Sequence, residues 1–270
     1  LQVQARQPQL RALAAATPWV DSDYAQVRLI AAWHGDTGLR AGLQFRIDAG
    51  WKTYWRSPGD SGIPPRIEWS GSENVLTPVV RYPIPHRVET FGFQTLVYEN
   101  QVVLPIEFPA EQRAEKLHLR ANIDYAVCRE ICVPMHAELS LAIDPASQPS
   151  AADKAHAELI ERYAARVPTT ATRSELTLRS VALDGPPGRQ TLNVVIASKS
   201  PLAAPGLIVE ASAPFGFGAP VFTSHGATTL ATIGVSGGKS KKSLSGRRLT
   251  LTIYDGDVGI ERVVVVGASR

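Results

Sequence analysis

The only two cysteines of the chain are the residues whose type and spacing could do chemistry. Cys128 and Cys132 are separated by three residues in a sequence of 270. On a straight strand their Cα atoms would lie about 13 Å apart, which is too far for a disulfide. The chain must therefore turn between them if they bond. Residues 118–127 and 137–143 alternate apolar and polar side chains as strands do, so we predict a hairpin with residues 129–131 in its turn.

Three functions fit such a pair, and the first is a structural staple in an exported protein. Closing a loop of about five residues restricts the unfolded chain by only about 2 kcal/mol, so a staple here gains little. The second is thiol-disulfide exchange, in which the pair opens to a dithiol and closes again through a mixed disulfide. The spacing favours exchange and leaves the other functions open.

The third function is Cu(I) binding by Cys128, Cys132 and Met135 or His136. Met135 is the only methionine of the chain, and thiolate, thioether and imidazole ligands together suit Cu(I). Strand alternation would send Met135 and His136 to opposite faces, so at most one of them could easily join the thiolates.

Length and composition restrict the class of protein. The chain has 270 residues and 29.1 kDa, which suits two domains of about 100 to 150 residues. With 44% hydrophobic residues, 20% charged residues and a net charge of +3, neither disorder nor a nucleic-acid partner is indicated. No apolar run is long enough for a membrane span. Phosphate loops, dinucleotide fingerprints and zinc-ligand spacing are absent, so we expect no cofactor other than the cysteine pair itself.

A β domain is predicted for residues 19–145. Residues 24–33 and 39–48 alternate well enough to form an opening hairpin. Residues 50–65 place tryptophans and a tyrosine beside turn-forming residues, which predicts a rigid surface loop. Residues 81–94 are aromatic without strand or helix periodicity, and an aromatic residue beside glycine in that run could serve as a movable lid over the cysteines.

The rest of the chain predicts one helix and a second β domain. Residues 147–167 carry the only helical pattern, which predicts a helical connector over residues 146–167. A helix over residues 150–167 would be a stiff spacer of about 27 Å. Residues 168–270 contain six short strands separated by glycine and proline turns, which predicts a second sandwich with a structural or docking role. The basic loop 237–248 is predicted to be a solvated surface loop. The predicted fold class is therefore all-β, with two sandwich domains joined by a helical connector.

Three blocks of sequence resemble a known family. Residues 51–62, 89–98 and 125–134 are similar to the N-terminal periplasmic domain of the DsbD family of transmembrane disulfide reductases, and within it to the ScsB branch linked to copper tolerance. The resemblance implies that the two sandwiches are immunoglobulin-like and that the chain is a periplasmic protein-disulfide reductase domain of a larger inner-membrane protein. It also implies electron transfer from a membrane-embedded domain, through a thioredoxin-like domain, to soluble thioredoxin-fold or ScsC-like proteins of the periplasm.

The resemblance also assigns site residues. Cys128 and Cys132 match the redox pair, with Cys132 bonding the outgoing partner and Cys128 resolving the mixed disulfide. DsbD itself has five residues between its cysteines where this chain has three, and its acidic-aromatic cap pattern is reproduced only in part. The residues that match the cap loop are Glu89, Phe91 and Gly92, and those that match the aromatic surroundings are Trp51, Tyr54 and Trp55.

Overall fold

The structure is a computed structural model that describes residues 16–33, 39–90, 92–108, 116–144, 151–171, 175–237 and 242–267. The predicted lid residue Phe91, the start of the predicted helix and the middle of the basic loop lie outside these ranges. None of the helices in the described ranges is both long and apolar enough to span a membrane.

Two antiparallel sheets form the first sandwich. One sheet has the strand order β1-β2-β3-β9-β6 and the other β11-β10-β4-β8-β7, with β5 paired to β10. Their apolar faces meet in one core that contains Phe45 from the first sheet and Ile123 from the second. The strands are β1 (Val20–Asp21), β2 (Ala25–Trp33), β3 (Leu39–Ile47), β4 (Lys52–Gly59), β5 (Arg66–Glu68), β6 (Val79–Val80), β7 (His86–Thr90), β8 (Phe93–Glu99), β9 (Gln101–Glu107), β10 (Leu117–Cys128) and β11 (Cys132–Ile143).

Both predicted hairpins of this sandwich are confirmed. Strands β2 and β3 pair from Ala25 opposite Ile47 to the far end of the hairpin. Strands β10 and β11 pair without interruption from Leu117 opposite Ile143 up to the cysteines. The sequence signal was strong because each strand has one buried face and therefore alternates apolar with polar residues.

Two predicted loops are wrong, because both segments are strands. Residues 52–59 form β4, which lies in the middle of the second sheet between β10 and β8. Tyr54 and Trp55 are both buried, but Trp55 lies in the main core and Tyr54 in a separate cluster. Because both faces of β4 are covered, its bulky residues show no alternation with polar ones. Part of the 81–94 segment forms β7, which pairs with β8 from His86 opposite Val97.

The helix α1 (Ala151–Ala164) does not act as a free spacer, contrary to the prediction. It packs against β2, β3 and β9, and Ile160 and Tyr163 are part of the first core. The Tyr163 hydroxyl also donates a hydrogen bond to the Gln101 carbonyl at 2.9 Å. An amphipathic helix of this length gains most of its stability by burying its apolar face, and the first sandwich provides the surface for it.

The second sandwich has its own core, which contains Leu192, Leu251 and Ile253. One sheet has the order β12-β13-β17-β15 with β16 paired to β17, and the other has the order β14-β18-β19. The strands are β12 (Leu176–Asp184), β13 (Gln190–Ser198), β14 (Pro205–Glu210), β15 (Gly216–Phe217), β16 (Val221–His225), β17 (Thr228–Ser236), β18 (Arg248–Asp255) and β19 (Val258–Val265). All six predicted strands are present, and the short β15 and β16 were not predicted.

Candidate redox site

The cysteines form a disulfide across the end of the β10–β11 hairpin. Cys128 ends β10, Cys132 begins β11, and the two are directly opposite in the register of the ladder. Their Cα atoms lie 4.1 Å apart. Within the turn, the Arg129 amide donates a hydrogen bond to the Ile131 carbonyl at 3.1 Å. The twelve-residue strands therefore hold the two sulfurs together, and the predicted turn at 129–131 is confirmed.

The disulfide lies on the face of the sheet that points away from the main core. In β10 the residues Ile123, Tyr125 and Val127 belong to that core. Cys128 and Ala126 instead join a small apolar cluster with Tyr54 and Val97, and the partly buried Val88 packs against it. Cys128 thus shares an apolar cluster on this face with side chains from β4 and β8.

The two sulfur-bearing residues differ sharply in exposure. Cys128 is only 2% exposed, whereas Cys132 is an exposed residue. Cys132 is therefore open to solution, whereas Cys128 is enclosed in the small apolar cluster. In thiol-disulfide exchange, access decides which sulfur of a pair is attacked and which one leaves.

Tyr54 places a hydroxyl beside the exposed sulfur. Its OH lies 3.6 Å from Cys132 Sγ, and since a disulfide sulfur has no hydrogen, the tyrosine is the donor. Burial raises the pKa of Tyr54, so the hydroxyl keeps its proton at neutral pH. Gly62 lies against the ring, because a Cβ there would be 2.2 Å from a ring carbon, and its φ of +116° suits glycine.

Tryptophan and arginine residues support the base of the turn. The Trp51 ring stacks on Tyr24 with centroids 3.7 Å apart, and the Arg129 guanidinium lies 5.4 Å from the centre of the Trp51 ring. Trp55 is fully buried in the main core. The structure therefore brings Trp51 and Tyr54 to the disulfide hairpin, whereas Trp55 lies on the core side of β4.

Two of the predicted cap residues, Glu89 and Gly92, lie at the end of the β7–β8 hairpin. Glu89 is exposed and accepts a hydrogen bond from the Gln94 side chain. Gly92 is also exposed and has a φ of +80°, as the two-residue turn between Thr90 and Phe93 requires. Since Phe91 lies outside the described residues, the cap stays a prediction.

The described residues contain no group of three or more histidine, cysteine or acidic side chains that could hold a metal ion. Met135 is opposite Tyr125 and packs against the main core. His136 is exposed on the other face, where Asp124 Oδ1 lies 2.8 Å from its Nδ1. The hydrogen bond that His136 donates to Asp124 raises the pKa of His136. Met135 and His136 therefore lie on opposite faces, as strand alternation predicted, so they are not placed to join the two thiolates at one copper ion together.

Sequence reasoning missed three contributors to the site. Val97 belongs to the apolar cluster that contains Cys128 and Val88 packs against that cluster, and recognising 86–99 as a hairpin would have placed them. Gly62 was noted only as a turn former, because nothing in the sequence indicates that a tyrosine ring packs on it.

Comparisons with known proteins match the two sandwiches separately. Residues 22–143 match the family model described as thiol:disulfide interchange protein DsbD, N-terminal, and residues 166–269 match a domain of unknown function (DUF8393). No curated protein matches the chain. The crystal structure of the N-terminal periplasmic domain of ScsB from Proteus mirabilis superposes with a TM-score of 0.73 at 24% identity, covering 94% of this chain and 99% of that one. That likeness shows a shared fold over both sandwiches. The first sandwich is therefore the part of the chain that is similar to the N-terminal domains of DsbD.

Proposed function

We propose that the chain is a thiol-disulfide interchange module whose reactive group is the Cys128–Cys132 pair. The observation that carries the proposal is the asymmetry of this disulfide. One sulfur-bearing residue is exposed beneath a tyrosine hydroxyl, and the other is buried under an apolar cluster. The family match supports interchange, and the ScsB likeness supports a periplasmic domain of an inner-membrane protein.

In the electron-accepting direction, a thiolate of the donor dithiol attacks Cys132 Sγ. A mixed disulfide forms, the S–S bond of the pair breaks, and Cys128 leaves as a thiolate that takes up a proton. The second donor thiol then loses its proton and attacks the donor sulfur of the mixed disulfide, so that Cys132 leaves as a thiolate. Two electrons have moved, and the donor is now a disulfide. The Tyr54 hydroxyl stabilises the departing Cys132 thiolate by a hydrogen bond to its charged form.

In the electron-donating direction, the same thiolate is the nucleophile. Cys132 attacks the disulfide of an acceptor, and Cys128 then attacks Cys132 Sγ to release the acceptor as a dithiol. The exposed position of Cys132 admits the acceptor, while the position of Cys128 directly opposite in the ladder keeps the resolving thiol within reach. The module needs no cofactor in this cycle besides its own cysteine pair.

The partners that we propose follow the family resemblance. The donor is a thioredoxin-like domain that is itself reduced by a membrane-embedded domain of the same full-length protein. The acceptors are soluble periplasmic thioredoxin-fold or ScsC-like proteins, whose disulfides the module reduces. The name of the similar solved structure, an N-terminal periplasmic domain of ScsB, supports only the periplasmic location within a larger protein.

A redox titration tests the proposed function. The oxidised chain is equilibrated with glutathione buffers, and the fraction of reduced pair is measured by alkylation and mass spectrometry. A reduced thioredoxin-like domain is then offered as the donor. Structural disulfides have reduction potentials below about −300 mV, so we expect the reduction potential of the Cys128–Cys132 pair to lie above that value. A pair that stays oxidised under all these conditions would identify a structural staple instead.

A further inference from the structure

The second sandwich contacts the first at the strand that carries Tyr54. Arg56 lies two residues beyond Tyr54 on β4. Its Nε donates to Glu210 Oε1 at 3.1 Å, and its terminal nitrogen donates to Glu210 Oε2 at 2.6 Å. The same nitrogen donates to Glu261 Oε2. Glu210 ends β14 and Glu261 lies in β19, so one arginine of the redox sandwich binds both carboxylates of the other sandwich.

This ion cluster is better suited to fixing a position than an ordinary surface salt bridge. The side chains are 30%, 21% and 20% exposed for Arg56, Glu210 and Glu261, so solvent screening is reduced. Burial opposes the charge on Arg56, but the hydrogen bonds and charges of the two glutamates outweigh it and raise its pKa. The planar guanidinium is also held 4.4 Å from the centre of the Trp55 ring. A forked, stacked arginine of this kind has little freedom to move.

A second attachment holds β7, whose Val88 packs against the apolar cluster that contains Cys128. Arg87 lies on β7 beside Val88 and donates a hydrogen bond to the Leu207 carbonyl of β14 at 3.0 Å. Ile208, the next residue of β14, is buried in the core of the first sandwich. The strand β14 is thus fixed to β7 by a polar contact and to the core by an apolar one.

We propose that the second sandwich is a buttress for the redox site. It fixes β4 through Arg56 and β7 through Arg87, and so it holds the Tyr54 hydroxyl on Cys132 and Val88 against the apolar cluster that contains Cys128. Arg56 and Arg87 are therefore positioning residues, since neither is among the groups that contact the disulfide. Two residues of a strand span only about 7 Å, so a shift of β4 at Arg56 moves Tyr54. The inference deepens the proposed function, because it gives the domain of unknown function a part in that chemistry.

The test separates positioning from a general loss of stability. The 270-residue chain is reduced, and the rate at which iodoacetamide alkylates Cys132 is followed by peptide mass spectrometry. The variants are Arg56→Lys, the double variant Glu210→Gln/Glu261→Gln, and both again in a Tyr54→Phe background. In the variants that keep Tyr54, we expect Cys132 to be alkylated about two- to threefold more slowly than in the parent chain. The reason is that the displaced Tyr54 hydroxyl no longer donates a hydrogen bond to the Cys132 thiolate. In the Tyr54→Phe background the same changes should have no further effect, as a double-mutant cycle shows for coupled residues.

Each outcome decides one question. Unchanged rates in both variants, or equal slowing with and without the Tyr54 hydroxyl, would overturn the buttress while leaving the proposed function intact. Failure of dithiothreitol to reduce the pair of the parent chain would instead overturn the proposed function. Arg81→Ala is the matched control, because it breaks an exposed ion pair with Glu107 inside the first sandwich and should leave the rate unchanged. If the double glutamine variant does not fold, the Arg56→Lys cycle alone decides.

Discussion

Removing the Tyr54 hydroxyl should make Cys132 a poorer nucleophile without disturbing the fold. The hydroxyl is the hydrogen-bond donor recorded at Cys132 Sγ, at 3.6 Å. Hydrogen bonds to charged groups contribute about 1.5 to 3 kcal/mol, and this long bond to sulfur is taken as about 1 kcal/mol. Tyr54→Phe keeps the ring in contact with Gly62 and removes only this bond. We therefore expect about fivefold less Cys132 thiolate at neutral pH in the reduced protein.

The alkylation rate should fall by less than the thiolate population. A more basic thiolate is intrinsically more nucleophilic, with a Brønsted slope of about 0.4 to 0.5, which returns about a factor of two. The net expectation is alkylation of Cys132 that is about two- to threefold slower. Iodoacetamide kinetics measure the rate, and ultraviolet absorbance of the thiolate measures the population.

A matched control uses the same chemical change elsewhere. Tyr98 is also buried, and its hydroxyl donates to the Pro83 carbonyl at 2.6 Å. Tyr98→Phe should leave the Cys132 thiolate population at the parental level. Equal thiolate populations in Tyr54→Phe and the parent would refute the role that we assign to Tyr54.

Four further predictions follow from the same contacts. Cys128→Ser should trap a mixed disulfide with a thioredoxin-fold partner on non-reducing gels, whereas Cys132→Ser should not, because only Cys132 is exposed. Gly62→Ala should lower the free energy of unfolding in urea by more than about 1 kcal/mol, since its φ of +116° and the Tyr54 ring both exclude a Cβ; full parental stability would contradict this. Because the pKa of His136 is raised in the folded state, the protonated imidazole increases the free energy of unfolding. This contribution is fully present below about pH 6.5, the pKa in the unfolded chain, and is lost as the pH rises through the pKa in the folded protein. Urea unfolding of His136→Gln should therefore differ from the parent more at acidic than at alkaline pH, and a pH-independent difference would exclude the Asp124 contact as its cause. Reducing the disulfide should lower the free energy of unfolding by no more than about 2 kcal/mol, and loss of the fold on reduction would favour the staple.

The parts of the fold that the sequence predicts are the strands that have one buried face and one solvent-exposed face. Strands β10 and β11 alternate buried and exposed residues, so their pairing and the cysteine turn followed from the pattern. Strand β4 was predicted as a loop for two reasons. Both of its faces are covered, so its sequence does not alternate apolar with polar residues, and it ends in the turn-forming residues Pro58 and Gly59. Its pairing with β8 is also interrupted by a register shift between Tyr54 and Gly59. Glycine and proline indicate turns locally, but they carry no information about neighbouring strands that are distant in sequence.

The site could be predicted only as far as its covalent chemistry. The spacing of Cys128 and Cys132 indicated a local, reversible pair, and the resemblance supplied Tyr54 as an aromatic neighbour. The sequence could not show that the Tyr54 hydroxyl reaches Cys132, because the contact depends on the close approach of Gly62 to the ring. The ion cluster of Arg56 was also invisible, since its carboxylates are 154 and 205 residues away in the chain.

The β10–β11 ladder explains how a disulfide can be reactive without being needed for the fold. Twelve cross-strand pairs, from Leu117 opposite Ile143 to Cys128 opposite Cys132, align the hairpin, and the core face of β10 is buried along its whole length. The S–S bond closes a short loop at the end of this ladder and adds little to the restriction that the strands already impose. When the bond opens, the ladder still holds the two thiols opposite each other, so the pair can close again without a search. A staple would be most effective where the chain is otherwise free to separate, whereas this pair lies where separation is already prevented, as a reversible redox group requires.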